Sequence, residues 1–140
     1  MKKTTILNLI LGLYIIFGVM FSKVFAADIE VVNVKRNITL SDTEKVYKDY
    51  YLNAGDSSPL RKNMIVKATR KITVKNAGQK IVGDFHTTVG LLKIIQVEGN
   101  VAIAREANLV PRENEAMLEQ IGIMVGDQID IKDSYIDNKK

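Results

Sequence analysis

The sequence has no cysteine or tryptophan, a single histidine and only two prolines among its 140 residues. Without cysteine, the chain has no disulfide framework, thiolate nucleophile, lipid-modified cysteine or cysteine-based zinc site. One histidine cannot build a multi-histidine metal centre. No stretch rich in proline, glycine or serine divides the chain, so we expect one domain with one core.

Residues 1–26 have the features of a secretory signal peptide. Lys2 and Lys3 provide the positive start, and a long apolar run follows them. We expect cleavage between Ala26 and Ala27. A retained membrane anchor is the alternative, because the apolar run is close to the about 20 residues that span a bilayer.

Removal of the signal peptide changes the charge of the chain. The full sequence has 20 basic and 16 acidic residues, for a net charge of +4. Lys2, Lys3 and Lys23 leave with the signal and no acidic residue does, so the mature chain keeps 17 basic and 16 acidic residues. Nucleic-acid binding requires a concentrated basic face, and none is visible. We therefore predict a periplasmic protein without a nucleic-acid partner, which meets the membrane only transiently through its signal peptide.

Alternating apolar residues and many β-branched residues predict a mainly β domain over residues 27–132, followed by a polar tail at 133–140. Gly83 and Asp84 are expected to interrupt one strand. Apolar residues occupy both odd and even positions of 89–97, which predicts that this is the central, most buried strand. Strands are predicted at 29–34, 46–52, 64–74, 89–97, 101–105 and 128–132, and the strand pattern resumes briefly at 81–82. About six short strands with one helix favour a small β-barrel or a compact sandwich.

One helix is predicted at residues 111–120. Pro111 suits the first turn of a helix and Gly122 suits the position after its last turn. The candidate apolar stripe consists of Met117, Leu118 and Ile121.

Several residues are singled out as structural turn positions. Gly99 follows an apolar strand and can adopt a positive φ, and an asparagine such as Asn63 tolerates the same conformation. None of these turns opens a helix after a strand, so none reads as a phosphate loop. The turn positions are Gly55, Asn63, Gly99, Gly122 and Gly126.

No group of residues in the sequence predicts catalysis, a cofactor or a metal. His86 would need a nucleophile and an orienting carboxylate to act as a general base, and no nucleophile motif surrounds it. Asp127 and Asp130 lack the loop pattern of a calcium site and read as solvated surface. Candidate members of a site at His86 are Ser57, Ser58, Asp84, Thr87 and Thr88.

Two groups of residues form the candidate partner surface. Tyr47 and Tyr51 share a strand face, which could contact a protein or a sugar, although tyrosine is also simply a good strand former. Lys67 and Lys71 lie on the wet face of another strand and could meet an acidic partner. We favour the interpretation that these lysines protect an edge strand against aggregation.

Short motifs resemble a known family. Tyr-Leu-Asn-Ala-Gly at 51–55, followed by Leu-Arg-Lys-Asn-Met at 60–64, resembles a strand end and turn in the C-terminal β-domain of flagellar assembly protein T and related periplasmic envelope proteins. Residues 90–105 are similar to the next hairpin of that domain, and 122–127 to its closing turn. Pro59 and Asn63 stand where the family often has glycine. The resemblance implies a β-barrel-like module in envelope or flagellar motor assembly, without enzyme activity or cofactor.

These observations predict an exported, non-enzymatic structural or interaction protein of the bacterial cell envelope, with the flagellar motor as a candidate assembly. Its partners would be protein subunits of that assembly, and self-association into a homo-oligomer stays open. The alternative is a periplasmic polysaccharide- or peptidoglycan-binding module that uses Tyr47 and Tyr51.

Overall fold

The computed structural model describes residues 28–138, and this part of the chain contains six strands and no helix. All pairings are antiparallel, and the strands form one sheet in the order β1-β2-β5-β4-β3-β6. The predicted signal peptide and its cleavage site at Ala26 and Ala27 lie outside the described residues. The strands are β1 Val31–Arg36, β2 Lys48–Leu52, β3 Met64–Lys75, β4 Ile81–Glu98, β5 Val101–Leu109 and β6 Gln128–Ile136.

The prediction of a mainly β domain with six strands is confirmed. The interruption predicted at Gly83 and Asp84 is wrong, because these residues pair with Val74 and Thr73 inside one long strand β4. Strand β6 continues to Ile136, beyond the start of the predicted polar tail at 133.

The core lies on one face of the sheet, which we call the inner face. Tyr50 and Leu52 of β2 are fully buried opposite Ala104 and Ala102 of β5, and the small alanines leave room for the two large side chains. An extra residue in β4, Val89, shifts the register against β3. Val89 reaches the core at this bulge, and Leu92 and Ile94 reach it after the bulge. A second register shift in β4, against β5, lets Val97 pack against the core as well, so odd and even positions both contribute. The core cluster includes Val31, Leu60, Val66, Ala68, Val89, Leu92, Ile94, Leu118, Ile123 and Ile129.

The sheet is not closed into a barrel, and no second sheet among the described residues makes a sandwich. The edge strands approach each other at one corner, through the isolated bridge between Glu30 and Gln128. Backbone hydrogen bonds of 2.9 and 2.8 Å join Val31 to Asp127 and Gly126 at the same corner. From Val31 onwards, β1 pairs only with β2 and not with β6, so the sheet does not close into a barrel.

The helix predicted at 111–120 is wrong. Of the three residues in its apolar stripe, only Leu118 is buried, whereas Met117 and Ile121 are 88% and 74% exposed. A short helix with one buried side chain gains too little from packing to offset its nucleation cost. Instead, Arg112 donates hydrogen bonds to the carbonyls of Thr88 and Ala116, which ties the segment to β4.

The ends of β3 and β4 extend beyond the rest of the sheet as a two-stranded ribbon, which we call the arm (residues 70–86). Strand β6 pairs with β3 only as far as Thr69, and β5 pairs with β4 only from Gly90. The carboxamide oxygen of Asn76 closes the turn of the arm by accepting the N–H groups of Gly78 and Lys80, both at 3.0 Å.

Because the strands alternate in direction, three connections meet at one end of the sheet, which we call the upper end. They are the β1–β2 loop (residues 37–47), the arm and the β5–β6 connection (residues 110–127). The first described residue, Asp28, and the β2–β3 and β4–β5 connections lie at the lower end.

Candidate functional site

Exposed apolar side chains are concentrated at the upper end. Seventeen large hydrophobic residues of the described chain are exposed, and eleven of them lie on the β1–β2 loop, the arm or the stretch from 109 to 121. Large exposed apolar patches are rare on monomers and mark interaction sites. The eleven are Ile38, Leu40, Val46, Tyr47, Val74, Ile81, Val82, Phe85, Leu109, Met117 and Ile121.

The β1–β2 loop is held in shape by its own hydrogen bonds. The side chain of Asn37 accepts the N–H of Tyr47 at 2.7 Å and donates to the carbonyl of Lys45 at 3.1 Å. The N–H of Leu40 donates to the Glu44 carboxylate at 2.9 Å. Ile38 and Leu40 are nevertheless 87% and 94% exposed on this loop. The loop therefore displays two apolar side chains that no contact within the described chain covers.

The β5–β6 connection is anchored by a buried ion pair between Arg70 and Asp127. The guanidinium donates to both carboxylate oxygens at 2.7 and 2.8 Å, and to the carbonyls of Gln120 and Gly122 at 2.7 and 2.8 Å. The hydrogen bond to Asp127 raises the pKa of Arg70 above its usual range. These contacts hold the backbone on both sides of Ile121 against the base of the arm.

This pair corrects the interpretation of Asp127 as a solvated acid, because the residue is only 1% exposed. The sequence does contain one indication of this pair: Arg70 is a charged residue on the face of β3 that is otherwise apolar. A buried guanidinium requires a carboxylate and several acceptors, and the sequence did not show which carboxylate it was.

The two candidate tyrosines lie on the outer face of the sheet, away from the core. The Tyr47 ring is 42% exposed and has the Arg105 guanidinium 4.8 Å and the Lys45 amine 5.2 Å from its centroid. Tyr51 is half-buried, with the Lys35 amine 5.3 Å from its ring. The rings thus already make cation–π contacts within the chain.

Tyr50 points to the opposite face and is fully buried. Its hydroxyl donates to the Glu106 carboxylate at 3.3 Å. Burial, followed by the charge of Glu106, raises the pKa of Tyr50 to about 12.

The two candidate lysines are paired within the chain. Lys67 contacts Asp133 at 2.5 Å, and Lys71 contacts Asp84 at 2.9 Å. The hydrogen bond from Lys67 lowers the pKa of Asp133, and hydrogen bonds from Thr73 and then Lys71 lower that of Asp84. Strands β5 and β4 lie between the tyrosines of β2 and the lysines of β3, so the structure does not bring the four residues into one site.

His86 lies within β4, on the outer face of the arm, opposite Lys71. Ser57 and Ser58 are in the β2–β3 connection at the lower end of the sheet. The Thr87 hydroxyl donates to Glu115 at 2.9 Å and points to the inner face. The candidate members of a catalytic site are therefore not assembled around the histidine. Between Asp28 and Asn138, no group of three or more histidine or acidic side chains is placed to hold a metal ion.

Four of the five turn positions have a positive φ: Asn63 (66°), Gly99 (56°), Gly122 (101°) and Gly126 (90°). Gly55 is required for a different reason. A Cβ atom at this residue would lie 1.8 Å from the carbonyl oxygen of Gly99, so the two lower-end turns pack backbone against backbone.

Two hollows lie at the lower end of the sheet. One, of about 550 Å³, is lined by residues that include Leu60, Arg61 and Gln96. The other, of about 730 Å³, is lined by residues that include Asn53, Ser57 and Asp130. Neither hollow includes a residue of the exposed apolar set.

Comparison with models of known protein families, with curated proteins and with solved structures found no match for the chain. Within residues 28–138, the structure has no helix of the length and apolar character needed to cross a bilayer.

Proposed function

We propose that the chain is an exported, non-enzymatic interaction protein of the bacterial cell envelope, which docks onto protein subunits of a larger assembly through its upper end. The observation that carries this proposal is the concentration of exposed apolar side chains at that end, on a β1–β2 loop and a β5–β6 connection that hydrogen bonds hold in place. Ordered apolar surface loses little conformational entropy on binding, which favours a protein partner.

The position of the N-terminal segment also supports a protein partner rather than a lipid surface. The described chain begins at Asp28 at the lower end, directly after the predicted signal peptide. If that segment is retained as an anchor, the upper end would point away from the attachment point.

The flagellar motor is the candidate assembly on the strength of the turn and strand motifs at 51–64, 90–105 and 122–127. These motifs describe local backbone shape, so they support a fold more strongly than a role. The identity of the captured subunits decides this part of the proposal.

The test is capture of cross-linked partners from cell envelopes with a C-terminally tagged chain, followed by mass spectrometry. Leu40→Ser and Met117→Ser remove exposed apolar contacts at the upper end, and we expect each to reduce the captured envelope subunits. Val101→Ser is the matched control, because Val101 is 42% exposed at the lower end. Equal capture by all three variants, or loss only with Val101→Ser, would contradict docking through the upper end.

The alternative proposal, a periplasmic polysaccharide- or peptidoglycan-binding module, has weaker support. Sugar rings stack on open aromatic faces, whereas Tyr47 and Tyr51 each have a cation over the ring. Binding of the wild-type chain to peptidoglycan, lost in Tyr47→Ala with the fold retained, would favour this alternative.

A further inference from the structure

The arm has two unpaired strand edges that differ in charge. On the β3 side, the exposed charges are the cations Lys71, which pairs with Asp84 across the arm, and Lys75, whereas Arg70 points inward to Asp127. On the β4 side, residues 81–86 carry one acidic group, Asp84, and one histidine, His86. Cationic side chains protect an exposed edge against pairing with another strand. The β3 edge therefore has this protection, and the β4 edge lacks it.

The arm is also a structure that would gain from further strands. A two-stranded ribbon is marginally stable in water, and three or more strands with an apolar face are needed for independent stability. The inner face of the arm displays Ile72 opposite Phe85, and Val74 opposite Gly83. Val74 and Phe85 remain 42% and 37% exposed.

Gly83 is a further sign that another backbone approaches β4. Glycine weakens the interior of a strand and often marks the close approach of another chain or ligand. A Cβ atom on Gly83 would meet nothing within 4 Å, and its φ is not positive. Nothing inside the described chain therefore requires glycine at this position.

We infer that the β4 edge of the arm pairs with the same edge of a second copy of this chain, antiparallel and around a two-fold axis at Phe85. This inference deepens the proposed function and rests on it, since it names one partner of the upper end. The result is a continuous four-stranded ribbon in which the two β4 strands are central and the two cationic β3 strands are the edges.

The residues of β4 favour this register over axes at Asp84 and Gly83. With the axis at Phe85, Asp84 of each copy lies opposite His86 of the other, and the two Phe85 side chains meet on the apolar face. An axis at Asp84 would place two carboxylates opposite each other, which is destabilising. An axis at Gly83 would meet the register shift between Gly83 and Ile81. The cationic β3 edges then oppose the addition of a third copy, so the association stops at a dimer.

The absence of cysteine allows a direct test with single-cysteine variants. Residues opposite each other in an antiparallel pair have Cα atoms roughly 4.5–5.5 Å apart, which is within disulfide range. We expect Phe85→Cys to form a covalent dimer under mild oxidation of the purified mature chain. Ile72→Cys is the matched control, because Ile72 lies directly opposite Phe85 but on the β3 edge, and it should stay monomeric.

Sedimentation of the cysteine-free protein gives an independent measurement. The wild type should show a concentration-dependent dimer, and Phe85→Lys should abolish it. Val74→Lys changes a side chain of similar exposure on the other strand and should leave the dimer intact. A wild type that stays monomeric at all concentrations, or equal cross-linking of the two cysteine variants, overturns the inference.

The two proposals fail separately. A monomeric chain that still captures envelope subunits through Leu40 and Met117 contradicts the dimer and leaves the proposed function standing. A chain that dimerises but captures no subunit supports the dimer and contradicts the proposed docking on an envelope assembly.

Discussion

At the scale of single residues, the Arg70–Asp127 pair connects three separate parts of the molecule. Arg70 extends from β3 to the carboxylate and to two carbonyls of the β5–β6 connection. The Asp127 carboxylate also accepts the N–H of Met124 at 2.8 Å, and its backbone carbonyl accepts that of Val31 at 2.9 Å. The pair therefore couples β3, the connection and the start of β1.

We predict that Asp127→Asn lowers the free energy of unfolding by about 3 kcal/mol, because it leaves a guanidinium that is only 15% exposed without its counter-charge. Urea denaturation of the mature chain measures this loss. Asp133→Asn removes the partner of Lys67 in an exposed pair and should change the midpoint little. Similar losses in the two variants would show that burial does not distinguish the pairs.

The buried phenol of Tyr50 predicts a loss of stability at alkaline pH. Its pKa is raised from 10.0 to about 12 in the folded chain. Between these values the unfolded chain releases the proton and the folded chain keeps it, so the free energy of unfolding falls by about 1.4 kcal/mol per pH unit from this group. Below pH 10 the group contributes no pH dependence.

Urea midpoints measured from pH 9 to pH 12 test this prediction against Tyr50→Phe. The variant lacks the ionising group, so its stability should fall less steeply over the same range. Parallel pH profiles for the two proteins would assign the alkaline loss to lysines and other groups.

At the scale of elements, the sequence predicted strands well where one face is buried and the other is wet. Strand β3 alternates over its inner half and was located almost to its ends. In the arm, residues 81–86 are all exposed, so the sequence shows no alternation of apolar and polar residues there. Gly83 and Asp84 are also common turn residues, which is why the sequence predicts an interruption. The helix predicted at 111–120 rests on residues that are typical of helix ends. The contacts of Arg112 with β4, which hold this segment instead, are long-range and leave no pattern in the local sequence.

The sequence likewise gives no indication of contacts between turns. Gly55 provides a test of such a contact. We predict that Gly55→Ala destabilises the fold by about 3 kcal/mol, because the added methyl group would collide with a backbone carbonyl rather than with a flexible side chain. Gly83→Ala is the control: with open space around its Cβ, it should leave the thermal midpoint of the monomer unchanged or slightly higher. An equal response of both glycines would contradict the close packing of the lower-end turns.

At the scale of the whole molecule, the upper and lower ends differ in a way that hydrophobicity along the chain does not reveal. The sequence drew attention to Tyr47 and to the lysines of β3, because aromatic and charged runs stand out locally. It did not identify Leu40 or Met117, since whether an apolar residue is covered depends on which elements reach it. That information becomes available only when the strand order places three connections together.

The same separation predicts that the arm can be removed without unfolding the domain. The last buried residue of β3 is Ala68 and the first of β4 is Thr87, and beyond them Ile72 alone packs against the core from its edge. Replacing residues 73–84 with Asn-Gly, a two-residue hairpin turn, should therefore leave one cooperative urea transition.

This shortened chain should sediment as a monomer, because it lacks Asp84 and most of the unprotected β4 edge. A shortened chain that loses cooperative unfolding would show that the arm stabilises the core. A shortened chain that folds and still dimerises would place the self-association surface on the β1–β2 loop or the β5–β6 connection instead. A shortened chain that folds cooperatively and is monomeric would show that folding and association depend on different parts of one continuous hairpin.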